Sequence, residues 1–210
     1  MIFYDCTTAP SPRRVRIFLA EKGITVPTEQ VDLANAQNYT EEFRALNPLG
    51  TVPVLKLDDG TCIGDIMGIC RYFEITNPNP PLMGVDAKDA AIIEMWNRRA
   101  EQEGMLNIRD AFRNRSKALV DKAIPGVAEP VPQIPELVER GQQGLLRFFR
   151  MMDKQLRGKE FVTGERYTVA DITTLVAVDF SRAAKVSVPE ECTDLLRWHK
   201  AVAARPSAQA

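Results

Sequence analysis

The sequence predicts an α/β domain followed by an all-α domain. Residues 1–80 alternate short strand-like runs with amphipathic helical runs, whereas no convincing strand pattern follows residue 85. Between the two stretches, residues 77–85 are rich in asparagine and proline, which is typical of a linker. We therefore expect domains at residues 1–80 and 86–210, joined by a linker at 77–85.

The predicted order of elements in the first domain is βαβ followed by αββα. Strands are expected at 2–5, 28–33, 54–57 and 61–63, and helices at 12–22, 40–46 and 66–76. Gly23 is placed to end the first helix, and Asp65 is placed to begin the third as its N-cap. This order predicts a small mixed sheet with helices on both faces.

The second domain has only helical patterns. Helices are expected at 86–115, 137–156 and 193–204, whereas four prolines make 124–135 a loop or an extended segment. Thr168 and Asp171 have the spacing of a capping box, and Tyr167 is placed to pack on Ile172. We therefore expect a further helix to begin at this point.

Composition narrows the classes of function. The formal net charge of −1 provides no overall field for nucleic acid or a membrane surface, and no run approaches a membrane span. The N-terminus lacks the pattern of a signal peptide, and the four cysteines are widely spaced, so we expect reduced thiols in a cytoplasmic protein. With His199 as the single histidine, we expect neither a metal site nor a histidine-based triad.

The most informative motif is the run from Asn47 to Pro53, which places a turn before an apolar strand. Proline cannot donate to a sheet ladder, so Pro53 is expected at the start of that strand. The backbone N–H and C=O of Val52 would then be left to pair with something other than protein. A cis Val52–Pro53 bond would favour this arrangement, whereas a trans proline would simply open an edge strand.

Several separated motifs together resemble the cytosolic glutathione transferase family over essentially the whole chain. They are the runs 14–24, 43–55 and 69–74, the capping box at 168–171, and the ending from Trp198 to Pro206. The resemblance implies a thioredoxin-like N-terminal domain, an all-helical domain that forms the electrophile pocket, and a homodimer. It also implies a cis Pro53 and glutathione as co-substrate, whose thiolate attacks a small-molecule electrophile.

The resemblance places the group that activates the thiol in the turn after the first strand, where this chain departs from the family pattern. The serine or cysteine of many relatives falls on Ala9, which has no side-chain donor. Ser11 is the first candidate to donate to the glutathione sulfur, and Thr8 is the next. Alternatively, Ser11 and Pro12 have the pattern of an N-cap followed by proline at the first helical position.

Cys6 lies in the same turn and suggests a different reaction. It could form a mixed disulfide with glutathione, as in omega-type relatives, which would make the chain a glutathione-dependent disulfide or peroxide reductase. The simpler interpretation is a small buried hydrophobic residue at a strand end. The altered residues Ala9, Thr51 and Ile66 raise a third possibility, a transferase-like binding protein without turnover.

The resemblance implies three docking points for the peptide part of glutathione. Val52 is expected to pair its backbone with the cysteinyl backbone. The Ile66 N–H faces the γ-glutamyl carboxylate, while Asp65 either caps the helix or accepts from the γ-glutamyl ammonium. The positions that hold the glycyl carboxylate are Asn38 and Thr51, so a positive charge is missing there. We therefore expect weak glutathione binding unless other residues compensate.

Overall fold

The computed structural model describes residues 1–210 and contains a four-stranded sheet followed by helices. The strands are β1 (Ile2–Asp5), β2 (Thr28–Gln30), β3 (Val54–Lys56) and β4 (Cys62–Ile63), in the spatial order β2-β1-β3-β4. The helices are α1 (Pro10–Glu21), α2 (Glu41–Leu46), α3 (Ile66–Thr76), α4 (Ala87–Arg99), α5 (Leu106–Arg115), α6 (Glu136–Leu156), α7 (Val169–Phe180) and α8 (Thr193–Ala203). The predicted fold class, thioredoxin-like and then all-helical, is confirmed.

The chain divides into two compact units. The first comprises Met1–Pro80, Ile124–Val131 and Ala210, and the second comprises Pro81–Ala123 and Pro132–Gln209. None of the helices combines the length and apolar character needed to cross a membrane.

Helix α2 packs on one face of the sheet. β2 is parallel to β1, and β3 is antiparallel to both β1 and β4. Successive side chains of β1 point to opposite faces. Phe3 is buried on one face, and Tyr4 meets Phe43 of α2 edge-on, with ring centroids 6.4 Å apart, on the other. The side chain of Val52 packs with Tyr4 against the small apolar cluster of Val31, Phe43 and Val54. This packing anchors Val52 by its side chain.

The N-terminus of α1 corrects one interpretation of Ser11. The N-cap residue is Ala9, and Pro10 is the first residue of the helix, so Ser11 lies inside the first turn. The prediction that Ser11 is the N-cap is therefore wrong. The reason is that two prolines compete for the first helical position in Ala9-Pro10-Ser11-Pro12, and the earlier one occupies it.

β2 is shorter than the predicted strand 28–33. It ends at Gln30 because the chain turns at Asp32, whose carboxylate accepts the backbone N–H of Asn35 at 3.0 Å. An aspartate that bonds the backbone further along the chain favours a turn over an extended strand.

The second unit contains a close approach of two helices. The predicted long helix is present as α4 and α5, joined by a π-helical segment over Ala100–Met105. Helix α6 packs on this segment and on α5 through glycines, because a Cβ at Gly144 would lie 2.0 Å from Oδ1 of Asn107. The predicted capping box of Thr168 and Asp171 is confirmed at the start of α7.

Candidate functional site

The turn between β1 and α1 is held by a polar network around the buried side chain of Asp5. Nη1 of Arg16 donates to Oδ1 of Asp5 at 2.6 Å, and Nη2 donates to the carbonyl oxygen of Thr7 at 3.2 Å. The side chain of Gln30 donates to the other Asp5 oxygen at 2.8 Å and accepts the Thr7 N–H at 3.0 Å. These bonds attach the turn to both β1 and β2.

The first turn of α1 offers few backbone donors. Pro10 and Pro12 have no N–H, and the Ala9 N–H donates to the carbonyl oxygen of Cys6 at 2.9 Å. The Arg13 N–H donates to the Ala9 carbonyl oxygen at 3.4 Å. Ser11 therefore has the one backbone N–H of this turn that is free for a ligand, next to its half-buried hydroxyl.

Cys6 and Thr8 contact each other within the turn. The thiol of Cys6 lies 3.4 Å from the Thr8 hydroxyl, and Cys6 is buried, with 8% of its surface exposed. This is the small buried residue expected for a strand end. The Thr8 hydroxyl is thus partly engaged by a neighbour, whereas Ser11 makes no such contact.

Val52 presents its backbone at the edge of the sheet. The Val52–Pro53 bond is cis, as the resemblance implied, and strand β3 begins only at Val54. Neither the N–H nor the C=O of Val52 has a hydrogen-bond partner in the chain. The register pairs Tyr4 with Val54, so Val52 lies beside the point where β1 ends. The unpaired backbone of Val52, called the edge of Val52, therefore lies next to the β1–α1 turn.

The N-terminus of α3 lies next to this edge. Oδ1 of Asp65 accepts the Gly68 N–H at 2.7 Å, so Asp65 caps the helix. Gly64 lies against the side chain of Asn47, and a Cβ there would be 2.9 Å from it. The amide of Asn47 in turn donates to the carbonyl oxygen of Thr51 at 2.8 Å. This chain of contacts places the start of α3 beside the residues that precede Val52.

The backbone at the start of α3 is available to an anion. The N–H group of Ile66 has no partner in the chain, as is usual for the first turn of a helix. A guanidinium nitrogen of Arg14, a residue with only 3% of its surface exposed, lies 3.7 Å from Sδ of Met67. Backbone N–H groups and a nearby positive charge together favour a carboxylate.

The two residues expected at the glycyl carboxylate are engaged within the protein. Asn38 is buried, and its amide donates to the Gly50 carbonyl oxygen at 2.9 Å. The hydroxyl of Thr51 lies 3.1 Å from the amide of Asn47. Both side chains therefore hold the turn before Val52, and we leave Asn38 out of the ligand set proposed below.

The four-stranded sheet, with Pro53 before β3 and the capped start of α3 beside it, defines a thioredoxin-like domain. The comparisons agree with this class. Residues 8–76 match the model for the N-terminal domain of glutathione S-transferases, and residues 99–206 match the model for the C-terminal domain. The chain therefore belongs to the glutathione S-transferase family, and it is a transferase enzyme.

Individual relatives are similar to this chain over almost its whole length. Glutathione S-transferase 2 of Saccharomyces cerevisiae is 35% identical over 99% of this chain and 87% of its own length. A glutathione S-transferase domain-containing protein of Marinobacter aquaeolei VT8 is 38% identical, with a TM-score of 0.91 and 99% of both chains covered. The structure of Gtt2 from Saccharomyces cerevisiae is 34% identical, with a TM-score of 0.91, and covers 100% of this chain and 99% of its own.

Sequence reasoning missed several residues that position the site. Arg16 is one of them, since its charged partner is Asp5 of β1. Asn47 was treated only as part of a turn signal, although its amide holds Thr51. The Asn-Pro pair marks a turn but does not show where the asparagine side chain points. Such contacts join residues through the fold and have no local signature.

Proposed function

We propose that this glutathione transferase binds glutathione along the edge of Val52 and activates its thiol at the N-terminus of α1. The observation that carries the proposal is the backbone N–H and C=O of Val52, which have no partner in the chain. An extended cysteinyl backbone can pair with both groups, as when a peptide adds a strand to a sheet edge. This pairing leaves the cysteine side chain next to the β1–α1 turn.

The γ-glutamyl end of glutathione then lies at the start of α3. Its carboxylate accepts the N–H of Ile66 and is favoured by the helix dipole. Oδ1 of Asp65 is used by the helix cap. The second oxygen of Asp65 is available for the γ-glutamyl ammonium, so Asp65 both caps the helix and binds the ligand. Pro53 holds Val52 at the open edge of the sheet. Thr51 contributes through its backbone, because its carbonyl oxygen accepts the Asn47 amide and so fixes the turn before Val52.

The thiol is activated by donors at the N-terminus of α1. A free thiol has a pKa of about 8.5, so a protein must stabilise the thiolate for reaction at neutral pH. We propose that the N–H and hydroxyl of Ser11 donate to the sulfur, with Thr8 as a weaker second donor. The thiol proton passes to solvent. The thiolate then forms a carbon–sulfur bond to the electrophile, and a leaving group such as halide departs with the electron pair of the carbon bond that breaks.

We propose that the helical domain binds a small hydrophobic electrophile and that the chain acts as a cytoplasmic homodimer in detoxification. The reaction needs no metal ion, since thiolate attack on carbon requires only stabilisation of the sulfur charge.

Titration calorimetry with glutathione, followed by turnover of a dinitrophenyl halide, tests the proposal. We expect saturable binding and glutathione-dependent formation of a thioether. S-methylglutathione, which lacks the thiol proton but keeps the backbone, should compete for the site. An absence of heat at millimolar glutathione, together with no competition, would contradict the proposed function.

A further inference from the structure

A short segment from the middle of the chain packs against the turn that precedes Val52. The segment Ile124–Val131, called the 124–131 segment, belongs to the first compact unit although it lies between α5 and α6 in sequence. Nη2 of Arg44 donates to the carbonyl oxygen of Gly126 at 3.2 Å. The segment is thus attached to α2 by a hydrogen bond from a charged donor.

The contact at Gly126 leaves no room for a side chain. Gly126 has φ +77°, and a Cβ there would lie 2.0 Å from the carbonyl oxygen of Leu49 and 2.9 Å from Cγ2 of Thr51. Gly50 has φ +60°, and a Cβ there would lie 3.1 Å from the Gly126 carbonyl oxygen. Two glycines with left-handed backbone therefore let the segment touch the turn directly.

The turn is also held by two side-chain amides. Asn38 donates to the Gly50 carbonyl oxygen at 2.9 Å, and Asn47 donates to the Thr51 carbonyl oxygen at 2.8 Å. With Gly126 packed on Leu49 and Thr51, the backbone that leads into Val52 is held both by hydrogen bonds and by direct packing.

We propose that the 124–131 segment is a positioning element for glutathione, acting through the Leu49–Thr51 turn on the backbone of Val52. The inference rests on the proposed function, since it requires that Val52 pairs with the tripeptide. Hydrogen bonds weaken steeply as their angle departs from linearity, so a backbone pairing needs its donor and acceptor held in place. No residue of the segment needs to touch the ligand, and Arg44 acts by holding Gly126.

Gly126→Ala tests the proposal, with Gly23→Ala as its matched control. Both glycines have a left-handed backbone, with φ +77° and +66°, but a Cβ at Gly23 would meet nothing within 4 Å. We expect Gly126→Ala to raise the KM and Kd for glutathione about tenfold, the cost of one hydrogen bond in the pairing. The kcat at saturating glutathione should change by less than about twofold, since the sulfur donors lie on α1.

A second variant removes the bond without adding a steric clash. Arg44→Leu should raise the KM for glutathione about threefold, as expected for a hydrogen bond of ordinary net strength, and Arg44→Lys should restore part of the loss. Arg44→Leu also tests the positioning role of the 124–131 segment if Gly126→Ala does not fold. Amide hydrogen exchange of residues 49–52 should become faster in both Gly126→Ala and Arg44→Leu.

The outcomes are separable from those of the proposed function. If the wild-type chain does not bind glutathione, both the function and the inference are wrong. If the wild type binds and exchange at residues 49–52 accelerates while the affinity of Gly126→Ala and Arg44→Leu is unchanged, only the positioning role is overturned. An equal loss of affinity in Gly23→Ala would also overturn it, because the effect would then reflect general destabilisation.

Discussion

Arg16 and Asp5 form an ion pair that also supports the turn before α1. Nη1 of Arg16 lies 2.6 Å from Oδ1 of Asp5, whose side chain is only 2% exposed. The same guanidinium donates to the carbonyl oxygen of Thr7. The neutralisation of a buried carboxylate and the position of the turn therefore depend on one side chain.

Replacing Arg16 with leucine should lower the free energy of unfolding by about 3 kcal/mol, because it leaves the buried Asp5 carboxylate without its charged partner. Urea denaturation measures the change. Arg150→Leu is the control, since Arg150 pairs with Glu191 at 3.5 Å and both side chains are more than half exposed. That exposed pair should contribute less than about 1 kcal/mol. Equal losses in the two variants would contradict the structural role assigned to Arg16.

Replacing Ser11 with alanine tests the group that activates the thiol. A hydrogen bond to a charged group is worth about 1.5–3 kcal/mol, and one pKa unit corresponds to about 1.36 kcal/mol. Loss of the hydroxyl should therefore raise the pKa of the thiol of bound glutathione by about one to two units. A pH titration of the ultraviolet absorbance of the thiolate measures this value.

Thr8→Val is the companion to Ser11→Ala, because it removes a hydroxyl from the same turn. The Thr8 hydroxyl lies 3.4 Å from the Cys6 thiol, so we expect a smaller rise in the thiol pKa. A larger effect in Thr8→Val than in Ser11→Ala would assign the sulfur donor to Thr8 instead.

Replacing Asp65 with asparagine separates capping from ligand binding. Asparagine caps a helix about as well as aspartate, so the free energy of unfolding should change by less than about 0.5 kcal/mol. Removal of the negative charge should weaken glutathione binding about tenfold, because the ammonium loses a charged acceptor. Calorimetric titration measures the affinity.

Asp86→Asn provides the matched control for Asp65→Asn. Asp86 caps α4 in the same way, with Oδ1 accepting the Asp89 N–H at 2.9 Å. We expect neither stability nor glutathione affinity to change in this variant. An unchanged affinity in Asp65→Asn would mean that Asp65 is only a helix cap.

The stability of the folded chain should depend on pH through Asp171. Burial raises the pKa of this carboxyl from 3.8 to about 6, although Val162, Trp198 and Thr168 donate hydrogen bonds to it. Because the folded state holds the proton more tightly, the contribution of Asp171 is present below pH 4 and is lost as the pH rises through 6. The change is on the order of 3 kcal/mol at most.

Asp171→Asn provides the comparison that isolates this carboxyl. The variant should be less stable than the wild type, since an amide cannot accept from all the donors that surround the carboxylate. The difference in unfolding free energy between the two proteins should change between pH 4 and 7, because only the wild type titrates there. A constant difference over that range would show that Asp171 has an ordinary pKa in the folded state.

Local signals in the sequence predicted most of the elements and part of the site. Asp65 was expected to begin α3, and the helix indeed runs from Ile66 to Thr76 with Asp65 as its cap. The Val52–Pro53 pair was expected before β3 and is found there with a cis bond. Capping residues and prolines act on their immediate neighbours, so their effects are visible within a few positions of the chain.

The sequence by itself determined the order of elements, the caps of α3 and α7, the family and the backbone edge at Val52. The tertiary structure alone decided that Arg16 pairs with Asp5, that the amide of Asn38 donates to the Gly50 carbonyl oxygen, and that Gly126 packs on Leu49. The physical reason is how far apart along the chain the contacting groups are. Caps and turns depend on bonds between near neighbours, whereas these contacts join groups that only the folded chain brings together.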